Sequence, residues 1–331
     1  MFLVMRGAFP SCFLRLRAST RSFQCRGFKQ REAFVPKLEQ RFRRDDPRVN
    51  KPPSVRSLAR PLLFTVGGSA VIFGGAAIWQ YERIRARISS TLLPSWQPEK
   101  RGELRRQIFH WWNSLSDGKK ITAGIVAVNF MVFLLWRVPS LQGTMLALFT
   151  SSPAKTSPCM PMLLSVFSHR AGAHLAFNML ALWSFSGTGE RLLGSEHFLA
   201  FLLSAGLVSS MASYAAKVAK ATAGPSLGAS GAIMALVGLV CWQYPDSRLA
   251  LIFLPTFSFP ASYALAGVMA FDTAGLLLGW RTFDHAAHLG GVLWGIWYAN
   301  WGYSLIWKNR EAFVTRWHQL RTGQRKGGRE P

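Results

Sequence analysis

Seven stretches of the chain contain no Asp, Glu, Lys or Arg: Pro61–Tyr81, Ile121–Trp136, Ala171–Gly189, His197–Ala216, Ala221–Pro245, Leu249–Phe271 and Ala286–Trp307. They are apolar around the whole helical circumference instead of along one stripe, as expected of helices in hydrocarbon rather than on the surface of a soluble bundle. Crossing a bilayer takes roughly 20 such residues. Ile121–Trp136 is short and needs its flanking residues to span. The stretch from Leu249 is too long for one span and contains Pro255 and Pro260. Its first part is therefore expected to be a loop or half-embedded turn, with a helix over roughly 260–280. The first stretch stands apart, behind a charged loop covering 82–120, and the other six crowd into 121–307. The pattern predicts an all-α membrane protein with a six-helix core and one additional N-terminal transmembrane helix, a one-plus-six arrangement. Residues 51–120 hold the leading helix and loop, 121–307 the core and 308–331 a basic C-terminal tail. No internal repeat of the kind that builds many carriers is present.

Composition supports this division. Charged residues make up 16% of the chain, well below the roughly 25% usual in soluble domains. The net charge of +24 is uneven: residues 1–60 carry +11, residues 82–120 carry +5 and residues 308–331 carry +5, leaving +3 elsewhere. Charge confined to tails and one loop does not describe a nucleic-acid-binding surface. Basic residues flank the first span on both sides, so the charge-bias rule assigns no orientation. The first 31 residues interleave Arg6, Arg15, Arg17, Arg21, Arg26 and Arg31 with Phe and Leu, and no acidic residue precedes Glu32. An Arg-rich, acid-free start is the composition of a mitochondrial presequence, and the arginines interrupt the unbroken apolar core that a secretory signal needs. Residues 1–50 are accordingly expected to direct the chain to the mitochondrial inner membrane and to be removed on import. The four cysteines, Cys12, Cys25, Cys159 and Cys241, show no metal-ligand spacing, so no metal or cofactor is expected.

Polar groups inside a bilayer are costly, which makes each one a functional candidate. Ser230 lies in Gly228-Ala-Ser-Gly231, after Pro225 and before the apolar run Ile233–Val240. A helix start there would place its hydroxyl at a positive helix end, where a developing oxyanion is stabilised. Gly228 and Gly231 would leave room for a substrate backbone. Taken alone, a serine between glycines is equally a cap or a packing site. His288 adds the base that a serine hydroxyl needs before it becomes a nucleophile. Gly291 and Gly295 have the spacing that lets helices approach closely, and Ala232 and Gly238 offer a matching face on the Ser230 helix. His174 and Asn178 are four residues apart on one helix face, and their N–H groups suit an oxyanion hole. Structural hydrogen bonds between helices are the plain alternative for all of these. His169 stands at the entrance to the same span. There is no HExxH for a zinc enzyme. Nor is there a carboxylate pair for an aspartic one, because Asp272 is the only Asp well inside an apolar stretch. Asp284, four residues before His288, is expected to cap the final helix, leaving a Ser–His dyad with no third member.

These residues resemble the rhomboid family. The carriers are His169-Arg-Ala-Gly-Ala-His174-Leu-Ala-Phe-Asn178, Gly228-Ala-Ser230-Gly231 and Ala287-His288-Leu-Gly-Gly291-Val-Leu-Trp-Gly295, and the resemblance covers about 121–307. The leading span and presequence are similar to those of its mitochondrial members. The resemblance implies an intramembrane serine endopeptidase with Ser230 as nucleophile and His288 as general base. Asn178, His174 and the Ser230 backbone N–H would form the oxyanion hole. Substrates would be single-span membrane proteins with a destabilised helix near the cut, no cofactor would be required, and the physiological role would be processing for mitochondrial quality control. Two departures stand out. The family's GxxxExxxG reads Ser186-Gly-Thr-Gly-Glu190-Arg-Leu-Leu-Gly194, where Glu190 is expected to be a structural anchor. Met234 replaces an aromatic common under the histidine ring, which orients that ring less firmly. The rival reading, a catalytically silent relative that binds membrane clients, would be expected to lose the serine or the histidine. A channel would want a continuous polar path.

Overall fold

The computed structural model describes residues 3–5, 55–91, 102–251 and 254–323. Eleven helices follow one another: α1 (Ala59–Thr91), α2 (Glu103–Ser114), α3 (Asp117–Leu135), α4 (Gln142–Leu148), α5 (Cys159–Leu164), α6 (Gly172–Leu193), α7 (Ser195–Ala219), α8 (Ser230–Gln243), α9 (Ala261–Leu278), α10 (His285–Trp297) and α11 (Glu311–Thr322). After α10 the chain continues as a π-helical segment, Tyr298–Trp307. Each of the seven apolar stretches holds one long helix: α1, α3, α6, α7, α8, α9 or α10. By length and composition, four helical segments suffice to cross a membrane: Val55–Ser89, Asp117–Leu135, Ser195–Ala219 and Ala261–Leu278. The fold is all-α apart from one small sheet. In the sheet β1 (Leu3–Met5), β2 (Arg248–Leu251) and β3 (Leu254–Pro260) pair antiparallel in that order. The segment expected as a loop or turn before α9 is thus a β-hairpin, with Leu249 opposite Phe259. The rest of the expected presequence, 1–50, lies outside the described residues.

The most buried of the four candidate spans, α7, lies at the centre of the bundle. It packs on α1 on one side and on α8 and α10 on the other. The leading helix therefore stands apart in sequence but not in space. Arg83 bonds Asp117 at 2.7 Å and also pairs with Glu196, tying α1 to the starts of α3 and α7. Phe73 stacks on Tyr298 with ring centroids 5.8 Å apart. The expected basic tail is in part the helix α11, folded back on α1: Trp317 Nε1 donates to Glu82 Oε1 at 3.0 Å and Arg321 pairs with the same carboxylate at 3.1 Å. The charged loop 82–120 contains α2, whose Leu104, Ile108 and Trp111 recur at i, i+4 and i+7 on one exposed apolar face.

Glu190, near the end of α6, caps α3. Ser116 Oγ and the Gly118 backbone N–H donate to its two oxygens at 2.5 Å each, and Ser195 Oγ adds a third bond at 3.0 Å. A Cβ at position 118 would lie 2.3 Å from this carboxylate, so a side chain there would displace it. Ser186, where the family pattern has glycine, receives a bond from Lys119 Nζ at 3.0 Å. Glu190 is the structural anchor that its position in the motif suggested.

Candidate active site

The segment before α8 is held from three sides. Ser226 exchanges both backbone bonds with Ser151 at 2.8 Å, and the Gly228 N–H donates to Ser165 O at 2.9 Å. The Ala229 N–H donates to His169 Nε2 at 3.4 Å. Gly228 adopts a φ of 125°, open to glycine and strained for other residues. A side chain there would meet His174 Cε1 at 2.9 Å. Ser230 follows as the first residue of α8, so its N–H lies in the turn that lacks intrahelical acceptors. At 14 residues, α8 is only about 21 Å long, shorter than the roughly 30 Å hydrocarbon core. Ser230 thus heads a helix too short to reach both faces of a bilayer.

His288 enters from the first turn of α10, and its Nε2 lies 2.9 Å from Ser230 Oγ. Glycines make this approach possible. A Cβ at Gly291 would lie 2.1 Å from Gly231 O, and one at Gly295 would lie 2.1 Å from Ala235 O. Gly238 meets Val292 in the same way, at 2.6 Å from its carbonyl oxygen. The matching face on α8 is therefore Gly231, Ala235 and Gly238, with Ala235 in place of the Ala232 that the spacing suggested.

On the far side of the His288 ring, Nδ1 lies 3.2 Å from Asp272 Oδ1. The expectation of a Ser–His dyad with no third member did not include this carboxylate beside the histidine. Asp272 projects from the middle of α9, and its side chain is almost fully buried. Asp284 is the N-cap it was expected to be, accepting from the Ala287 N–H at 3.1 Å. It also accepts from Ser213 Oγ at 2.5 Å and from Ser226, with Lys217 Nζ at 3.7 Å. Its partners are the loop and α7, and it ties both to the start of α10.

Of the expected oxyanion residues, both on α6, His174 lies against the Ser230 loop, within reach of a Cβ at Gly228, and Asn178 follows one turn later. Asn178 is buried, and one of its amide N–H bonds donates to His174 O at 2.8 Å. His174 and His169 meet edge to face with centroids 4.9 Å apart, and His169 is fully buried. His169 thus supports the Ser230 loop through the Ala229 N–H. Gly231 lines the cleft beside Ser230 and packs closely there, since a Cβ would lie 2.4 Å from Ser209 Oγ and 3.3 Å from Ala287 O. Its absent side chain lets α8 pack on α7 and α10. The rings of Phe283 and His285 lie beside His288, at 6.1 and 6.5 Å between centroids, while Met234 packs against the hydrophobic core. A polar cleft lined by Ser165, Ser209, Ser213 and Ser226 opens beside Ser230. The arrangement has a hydroxyl at a helix start, an imidazole in contact with it and a carboxylate behind the imidazole, which is the geometry that activating a serine requires.

Asp272 and His285, which shares that carboxylate, were not among the sequence candidates. A signal for Asp272 existed, since it is the one Asp deep inside an apolar stretch.

A family model described as the rhomboid domain matches residues 158–304. The chain is 52% identical over 307 residues to the mitochondrial presenilin-associated rhomboid-like protein of Homo sapiens, covering 90% of this chain and 80% of that one. It is 43% identical over 290 residues to the presenilin-associated rhomboid-like protein A, mitochondrial, of Danio rerio, covering 80% and 76%. Similarity to the mitochondrial rhomboid protein 1 of Saccharomyces cerevisiae is 34% over 199 residues, covering 58% and 56%. With the bundle, the Ser–His contact and these relatives in agreement, the chain belongs to the rhomboid family.

Proposed function

We propose that this chain is an intramembrane serine endopeptidase of the mitochondrial inner membrane, spanning it in a one-plus-six arrangement after loss of its presequence. The observation that carries the reading is the 2.9 Å contact between His288 Nε2 and Ser230 Oγ, made between two helix starts inside an apolar bundle. In the reaction Ser230 Oγ attacks the scissile carbonyl carbon while His288 Nε2 takes the hydroxyl proton. Asp272 holds the proton on Nδ1 and stabilises the imidazolium that forms. The carbonyl oxygen becomes an oxyanion, for which the Ser230 backbone N–H, Asn178 and His174 are the proposed donors. His288 then returns its proton to the leaving amine, and a water entering through the serine-lined cleft hydrolyses the acyl-enzyme. Substrates are single-span membrane proteins whose helix unwinds near the cut, because a peptide bond within an intact helix is shielded from a nucleophile. Cleavage of such proteins suits processing and quality control in the organelle that the relatives' names specify.

A serine-directed fluorophosphonate provides the direct test. The wild-type chain is expected to carry the label on Ser230, located by peptide mass spectrometry, and His288→Ala is expected to abolish it. Absence of labelling in folded wild-type protein would overturn the assignment.

A further inference from the structure

Asp272 faces two histidines. Its Oδ1 lies 2.7 Å from His285 Nδ1 and 3.2 Å from His288 Nδ1, and the exposures of Asp272, His285 and His288 are 1%, 3% and 7%. The histidines are three residues apart and share one face of the first turn of α10. On α9, Gly275 makes room for the His285 ring, since a Cβ there would lie 2.4 Å from it. Phe271, Trp280 and Phe283 enclose the ring at centroid distances of 5.5, 6.0 and 6.0 Å. Inside this enclosure His285 Nε2 is buried without a hydrogen-bond partner.

A proton on that nitrogen would place a donor, or a charged ring, in an apolar box with no acceptor, at the full desolvation cost. The proton therefore resides on Nδ1, where the carboxylate accepts it. Asp272 Oδ1 then receives one N–H from His285 and one from His288. His288 is left with its lone pair on Nε2, facing Ser230. The other titratable groups around the site are His174 and His169 on the α6 side and the Asp284–Lys217 pair at the start of α10. His169 bonds the Ala229 N–H and meets His174 edge to face, Asp284 pairs with Lys217, and Asp272 bonds the two histidines.

We infer that His285 is a positioning residue, which by donating to Asp272 holds that carboxylate aimed at His288 Nδ1, and so fixes the tautomer in which His288 can act as a base. The inference rests on the proteolytic reading, and the test separates the two. The full chain is reconstituted in lipid vesicles, and cleavage of a model transmembrane substrate is followed for wild type, His285→Leu and His285→Asn. Thermal stability and fluorophosphonate labelling are measured in parallel. Asn places an amide N–H near the position of Nδ1–H, and Leu removes the donor. Leu is expected to lower kcat about tenfold, as loss of one hydrogen bond to a charged group should, with KM unchanged. Asn should restore most of the lost kcat. The role is overturned if Leu keeps wild-type kcat, if Asn is as impaired as Leu, or if kcat falls only in step with thermal stability. A folded wild type that neither cleaves nor labels would sink the proteolytic reading, and the positioning role with it.

Discussion

An acceptor on the second nitrogen of a buried imidazole fixes its tautomer and so makes it a better base, and Asp272 and Asp284 occupy very different places in that respect. Asp272 is 3.2 Å from His288 Nδ1, whereas Asp284 bonds a backbone N–H, two serines and a lysine. Asp272→Asn is therefore expected to lower kcat by on the order of 10²–10⁴, the effect of the wrong histidine tautomer. Asp284→Asn, which still caps, is expected to lose less than about tenfold. Steady-state kinetics on both variants, checked for equal folding, decide the matter, and similar losses would contradict the assignment. Ser230 and His288 were legible in the sequence because polar side chains in apolar runs are conspicuous, and Asp284 because capping is a local property. Asp272 was equally conspicuous, but α9 is apolar all round, so its sequence does not say which face turns toward α10. Asn178 was legible as a neighbour of His174, though not the bond to the His174 carbonyl that engages one of its N–H groups. Asn178→Ala is expected to reduce turnover by on the order of 10²–10³, less if His174 substitutes for it. Full activity in the Asn178/His174 double alanine variant would remove both from the mechanism.

Among the elements, the catalytic contact depends on how closely α10 lies on α8, and glycine sets that distance. At Gly291 an added methyl would lie 2.1 Å from the carbonyl oxygen of Gly231, next to the nucleophile. Both partners are backbone, so neither side can yield by rotating a side chain. Gly291→Ala should destabilise the fold by about 1–3 kcal/mol, as overpacking does, and should separate His288 from Ser230 enough to abolish most activity. Thermal unfolding and cleavage assays on the variant check this, and wild-type values in both would show that the helices adjust freely. The Gly291/Gly295 spacing announced this packing in advance. The β-hairpin before α9 was not announced, because Pro255 and Pro260 argue against a helix without indicating what replaces it. The clasp of α11 on α1 was hidden for another reason: Glu82 and Trp317 are 235 residues apart, and no local pattern joins them.

For the whole molecule, the apolar stretches settled the membrane class, while the unequal spacing understated how firmly the leading helix is bound to the core. Arg83, Phe73 and the α11 contacts make it part of one bundle. The targeting reading rests on the composition of the first 31 residues. It predicts that protein isolated from mitochondria begins near residue 50, which N-terminal mass spectrometry would establish. An intact Met1 on the mature membrane protein would contradict it. The proposed activity itself meets its most direct test in purified full-length chain, reconstituted with a single-span model substrate. Wild type should cut the substrate's transmembrane segment, whereas Ser230→Ala and His288→Ala should insert and fold normally and show no detectable cleavage. Appreciable turnover by either variant, or none by well-folded wild type, would contradict a protease built on this pair.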